Sequence, residues 1–88
     1  MNSNKELSEI IEVIKNLQSE REIAGFFSDV FTETELKTLS KRWRILKMLS
    51  EGKTQREISK QLKVSLCKVT RGAKILKDSE SIVTKYIK

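Results

Sequence analysis

The sequence predicts an all-α fold, a six-helix subunit that contains a helix-turn-helix. Three observations carry that expectation. Four times a Ser or Thr stands three residues before a Glu, and each pair is followed by apolar residues at helical spacing. The 88 residues contain no proline and only three glycines, so nothing interrupts a helical pattern except at a few points. Between residues 55 and 72, apolar and small side chains alternate as two short helices joined by a tight turn require.

The elements follow in order. Ser3 and Glu6 are the first start signal, and Leu7, Ile10, Ile11, Ile14 and Leu17 form one apolar face behind it. Ser19 and Glu22 open a second helix with Ile23, Phe26, Phe27 and Val30 inward. Thr32 and Glu35 open a longer third helix along Leu36, Leu39, Trp43, Leu46 and Leu49, which Gly52 should end in the left-handed conformation. Thr54 and Glu57 start a short helix with Ile58 and Leu62, and Ser65 starts another with Val69 and Leu76 inward. The run Asp78-Ser79-Glu80-Ser81 breaks the chain before a last amphipathic turn or two with Ile82, Val83, Tyr86 and Ile87.

In residues 55–72, Ile58 and Leu62 lie one turn apart on the first short helix, facing the second. Ser59 is small where the two backbones should approach, Val64 plugs the turn, and Val69 packs back. Lys63 occupies the turn position where glycine is preferred for its positive φ, a strain of about 1 kcal/mol.

Charge is segregated along the chain. Residues 1–36 carry three basic and eight acidic groups, a net −5; residues 37–77 carry thirteen basic groups against Glu51 and Glu57, a net +11. Such a block points to a polyanionic partner. Unlike the four earlier starts, Ser65 has Lys68 rather than Glu three residues on, so free N–H groups and a lysine face any approaching phosphate. The candidate contacts to double-stranded DNA are Gln55 and Arg56 at the opening of the first short helix, and Ser65, Leu66, Cys67, Lys68, Thr70, Lys74 and Lys77 on the second. Lys63 is a further candidate for phosphate, and Cys67 is small and apolar enough to touch a thymine methyl.

Several function classes are excluded. With no histidine and Cys67 as the lone cysteine, no Cys/His zinc site, thiol–His pair, Ser–His–Asp triad or disulfide framework can be assembled, and the expectation is a protein that is not an enzyme and holds no metal. The polar N-terminus and the lack of a long apolar run predict a cytoplasmic chain with no membrane partner. An RNA-binding or anionic-membrane-binding basic module is the competing reading. The basic groups cluster around a tight turn rather than along one amphipathic face, and residues 44–85 hold no aromatic for base stacking, which disfavours it.

The run Gly52-Lys53-Thr54-Gln55-Arg56-Glu57-Ile58, followed by Val69-Thr70-Arg71-Gly72 and Leu76-Lys77, resembles the tryptophan repressor superfamily over residues 26–77, with helix order alone matching at the ends. The resemblance implies an intertwined homodimer acting as a sequence-specific repressor on a palindromic operator. Residues 1–52 would then be dimerisation helices, 53–77 the reading head, and 78–88 a C-terminal dimerisation helix, all in one domain. It also implies L-tryptophan as a corepressor: Arg42 and Arg71 match the arginines that sandwich the indole, Thr32 the threonine that helps hold the carboxylate, and Gly72 the glycine that lets the ring approach. Ile75 departs from the pattern, standing where the family commonly has a serine for the ligand's ammonium group, although backbone carbonyls at the end of the second helix would still be able to receive that group. Lys68 replaces a threonine near the pocket and DNA, Lys74 stands where asparagine is frequent, and the turn after Gly52 is one residue shorter, as in a related branch of the superfamily; a regulator of the same superfamily with no effector or a different small effector is the alternative. Gly72 at mid-helix otherwise marks a close helix–helix contact, Arg42 and Arg71 otherwise serve as surface or phosphate arginines, and Trp43 lies on the apolar stripe of core or dimer packing.

Overall fold

The computed structural model describes residues 4–87. Among them are six α-helices and no strand: α1 (Lys5–Asn16), α2 (Glu20–Val30), α3 (Glu33–Ser50), α4 (Gln55–Leu62), α5 (Leu66–Lys77) and α6 (Ile82–Tyr86). They fall into two compact units, one ending at Leu36 and the other beginning at Lys37.

The first unit begins with a cap one residue later than expected. Asn4 is the N-cap of α1, its Oδ1 accepting from the Leu7 N–H at 3.1 Å, while Ser3 lies outside the described residues. Asn is as good a cap as Ser, and here it satisfies the Leu7 donor, which the helix would otherwise leave unpaired. Ser19 caps α2 as expected, accepting from the Glu22 N–H at 3.1 Å, but the Glu22 carboxylate reaches past it to the Gln18 N–H at 2.8 Å. Thr32 and Glu35 form the full reciprocal pair, at 2.9 and 3.1 Å. Neither α1 nor α2 has a buried residue, and Leu7, Ile11, Ile14, Ile23 and Val30 are all exposed. Phe27 packs against Phe31 with ring centres 5.5 Å apart and the ring planes tilted by 52°, a local contact within the same stretch.

The second unit holds the core. Ile45 and Met48 of α3, Ile58 of α4 and Val69 of α5 are buried together, with Leu49, Leu62 and Val64 packed against them. Ile58 and Val69 are fully removed from solvent. The inner face of α3 here runs through Ile45, Leu46 and Met48, not through the whole stripe expected from spacing: Leu39 and Trp43 are exposed in the chain. α6 packs on α5, with Ile87 buried and the Thr84 hydroxyl donating to the Ile75 carbonyl at 3.1 Å, whereas Ile82 and Tyr86 face solvent.

Two left-handed residues set the direction of the chain. At the end of α3, Gly52 has φ 91°; its N–H donates to Leu49 O at 3.0 Å and the Lys53 N–H donates to Met48 O at 3.1 Å, the paired bonds of a Schellman motif. At the end of α4, Lys63 takes φ 56° and ψ 47° in the place the sequence marks for glycine. Ser59 holds that turn closed: its carbonyl accepts from the Val64 N–H at 3.2 Å, and its hydroxyl donates to Val64 O at 2.6 Å. α4 itself starts in a full capping box, the Thr54 N–H donating to Glu57 Oε1 at 2.9 Å and the Glu57 N–H to Thr54 Oγ1 at 3.1 Å.

Two predictions follow from these turns and caps. Lys63→Gly relieves the left-handed strain and loses part of the gain to unfolded-chain entropy, so it should raise stability by about 0.5–1 kcal/mol in urea unfolding; a lower midpoint would mean that the lysine side chain contributes more than the strain costs. Hydrogen bonds from Thr54 hold the Glu57 carboxyl below its ordinary value of 4.5, with Lys53 adding attraction. A carboxyl depressed in the folded state stabilises above the unfolded value and stops doing so as pH falls through the lower folded one. The stability difference between wild type and Glu57→Ala should therefore be constant above pH 4.5 and shrink below it, as measured by urea unfolding across the acid range.

Candidate nucleic-acid interface and adjoining cavity

The second unit presents α5 as its exposed basic element. Val69 faces inward and is fully buried; Ser65, Leu66, Cys67, Lys68, Thr70, Arg71, Lys74 and Lys77 are exposed. The helix starts on Ser65, whose Oγ accepts from the Lys68 N–H at 3.4 Å, and no carboxylate lies in its first turn. The partial positive charge of its N-terminus is thus left uncompensated by the chain. Across the turn, Arg56 is exposed in the first turn of α4.

Gln55 and Thr70 are joined, a link that spacing alone did not show. The Thr70 hydroxyl lies 2.9 Å from Gln55 Oε1 and 3.0 Å from Leu66 O, so its single proton is shared between the side chain of α4 and the backbone of α5. The bond holds the Gln55 amide by its oxygen and braces the start of α4 against the middle of α5.

Next to the turn, four cations converge. Lys41, Arg42, Lys63 and Lys68 line a depression of about 240 Å³ together with Ser65. Lys41 was not among the residues singled out from sequence; its place one residue before Arg42 in the basic block is the only signal for it. Along the outer side of α5, Leu66, Cys67, Thr70, Arg71 and Lys74 line a shallow groove of about 310 Å³.

On the other side of α5 lies a cavity of about 360 Å³ against α3. Arg42 and Leu46 of α3 face Lys68, Arg71, Gly72 and Ile75 of α5. Of the expected effector residues, Arg42, Arg71, Gly72 and Ile75 are brought together; Thr32 belongs to the first unit, as the cap of α3. Leu46 and Lys68 are additions that helical periodicity could have supplied. Residues 68, 71, 72 and 75 occupy one face of a helix, and 42 and 46 another. Trp43 lines a different depression, with Arg44 and Lys47.

Gly72 has a packing reason of its own. A Cβ there would lie 3.2 Å from Ile45 Cγ2 and 3.2 Å from Leu49 Cδ1, tighter than an unshifted neighbour allows. The glycine therefore sets how closely α5 approaches α3, and with it the width of the adjoining cavity. Among the described residues no three His, Cys, Asp or Glu side chains gather as metal ligands, and no helix is long and apolar enough to cross a membrane.

Two short helices joined through a left-handed turn and seated on a third, with a basic outer helix free of acidic groups, define a helix-turn-helix protein. The chain belongs to the Trp repressor protein family, whose model matches residues 5–88. It is 34% identical over 71 residues to a Trp operon repressor homolog of Chlamydia trachomatis serovar L2, covering 80% of this chain and 76% of that one. It is likewise 34% identical over 68 residues to a Trp operon repressor homolog of serovar D, covering 76% and 72%. No solved structure matches the chain significantly. The protein is a Trp-repressor-like transcriptional regulator.

Proposed function

We propose that the protein is a dimeric, sequence-specific DNA-binding repressor that reads a palindromic operator with α4, the turn and α5, and that a small effector in the cavity between α3 and α5 sets its affinity. The observation that carries the reading is the outward face of α5. Ser65, Lys68, Thr70, Lys74 and Lys77 lie exposed on a helix whose first turn has no carboxylate, while its inner side is anchored by Val69. Lysines on that face neutralise phosphates and supply strength; Arg56, with Gln55, Leu66, Cys67 and Thr70, supplies discrimination among bases.

Dimerisation is supported by the apolar side chains left in water. Leu7, Ile11, Ile14, Ile23 and Val30 in the first unit and Leu39 and Trp43 in the second are each more than a third exposed. A second copy of the chain is the partner that the family resemblance implies for them.

Two readings of the effector stand. L-tryptophan, implied by the family, would have its indole between Arg42 and Arg71, with Arg71 also holding its carboxylate; that both arginines line the cavity supports this reading. A different small molecule is the second, and Ile75 favours it, because the lining of the cavity holds no side-chain acceptor for an ammonium group.

The test is a gel shift with duplexes selected from a random pool, run beside single strands and anionic vesicles, with sedimentation of the free protein. The expected result is a dimer of 10.2 kDa chains that retains a family of related duplexes. Arg56→Ala should relax selection at a G·C pair by about 1–3 kcal/mol, whereas Lys77→Ala should weaken every duplex alike and lower the salt slope by about one. A uniform loss in both variants would defeat that division of labour, and stronger retention of vesicles or single strands would replace the duplex reading.

A further inference from the structure

The bond from Thr70 to Gln55 distributes donors and acceptors unequally. Thr70 Oγ1 has a single proton, and the acceptors within its reach are Gln55 Oε1 at 2.9 Å and Leu66 O at 3.0 Å. That proton is therefore spent within the chain, and what Thr70 retains for an outside partner is lone pairs. On Gln55 the balance is reversed. Its amide oxygen is engaged, while neither proton of its N–H₂ group bonds another described residue. Gln55 is half-buried, and Thr70 lines the shallow groove along the outer side of α5. The bond thus brings two unspent donors of α4 beside that groove.

We propose that Thr70 is a positioning residue for Gln55: its hydroxyl holds the amide by the oxygen, so that Gln55 meets a bound duplex through its N–H₂ group, as a donor to an acceptor atom of the DNA. The proposal rests on the duplex-binding reading above and assigns the division of labour between two residues of that same face. The chemistry of the partner supports it. Phosphate oxygens accept only, and the major-groove edge of guanine presents N7 and O6, both acceptors. Thr70, with its proton committed, would turn lone pairs toward lone pairs there, so it acts through Gln55 rather than by direct contact. An unheld glutamine can reverse its amide and pair with donors or acceptors alike, as in its two-bonded contact with adenine N6 and N7. With the oxygen held, that freedom is lost. The rotamer entropy of a long side chain is also lost in the folded protein before any duplex arrives, so less is lost on binding.

A double-variant cycle on duplex affinity tests this, using the full chain and duplexes selected by the wild type. Thr70 is exposed and Gln55 half-buried, so the variants leave the core untouched. Thr70→Val, which keeps the shape and removes the hydroxyl, should weaken duplex binding about three- to fivefold. Thr70→Ser, which returns the hydroxyl, should recover most of that loss. Gln55→Ala removes the donors themselves and should weaken binding about tenfold or more, with Thr70→Val adding less than about twofold to it. None of these variants should alter the salt slope, because none removes a charge. Within such a coupled result, a loss confined to one base pair assigns the acceptor to a base edge, and a loss shared by all duplexes assigns it to a phosphate; both support the proposal. A loss from Thr70→Val that is undiminished in the Gln55→Ala background would mean that Thr70 touches the duplex itself. Equal losses in the two single variants and the double would mean that the bond only braces α4 against α5. Either result overturns the proposal and leaves the regulator reading standing, whereas a wild type that retains no duplex overturns both.

Discussion

The geometry of this protein depends on one apolar contact: Ile58 and Val69, each fully buried, meeting over Ile45 and Met48. Burying side chains of this size stabilises by about 1.5–3 kcal/mol each, and among the described residues no polar side chain is buried there to add or subtract. Because the contact joins α3, α4 and α5 at once, it fixes the angle between the two short helices and presents the outer face of α5 to solvent. It also seats α5 against α3, which creates the cavity on one side of the helix while the basic groove lies on the other. Arg71 lines both spaces, so a ligand held on the inner side and a polyanion on the outer side would compete for, or jointly orient, the same guanidinium.

The backbone devices serve that contact. Gly52 and Lys63 both adopt positive φ, and each reverses the chain within a residue or two so that the next helix can return. At Lys63 the reversal is strained, yet the position keeps a cation beside Lys41, Arg42 and Lys68, where glycine would remove one. The same preference shows in the caps. α1 to α4 each carry acidic residues in the first turn; the short α6 carries none, and neither does α5. A carboxylate there would stabilise the helix by a few tenths of a kcal/mol to about 1 kcal/mol and repel an anionic partner. The chain forgoes that stabilisation at the helix that is presented outward.

Much of this was legible in the residues themselves. Helix starts were readable because a hydroxyl with a Glu three residues on is a local chemical device that needs no tertiary context; Thr32/Glu35 and Thr54/Glu57 form as expected. The left-handed turn at Lys63 and the plugs at Ile58, Val64 and Val69 were readable because the motif constrains five positions within a dozen residues. The burial pattern of α3 was less accessible. That helix has apolar residues around more than one face, so spacing alone could not say whether Leu39 and Trp43 or Ile45 and Met48 would turn inward within the chain. The Gln55–Thr70 bond and the share of Lys68 in the cavity depend on how α4 and α5 cross, which only coordinates provide. The cavity could nonetheless be half anticipated, since residues 68, 71, 72 and 75 repeat at helical spacing.

The measurement that tests the central claim most directly is native-state hydrogen exchange of the amides in the last two turns of α3, in α4 and in α5. If Ile58 and Val69 lock these helices into one unit, amides around Ile45–Leu49, Ile58–Leu62 and Val69–Leu76 should exchange through a single opening of the same free energy, and Val69→Ala should lower all three together. Separate opening of α4 and α5 at a lower free energy than α3 would show that the reading helices are hinged rather than fixed, and would contradict the account.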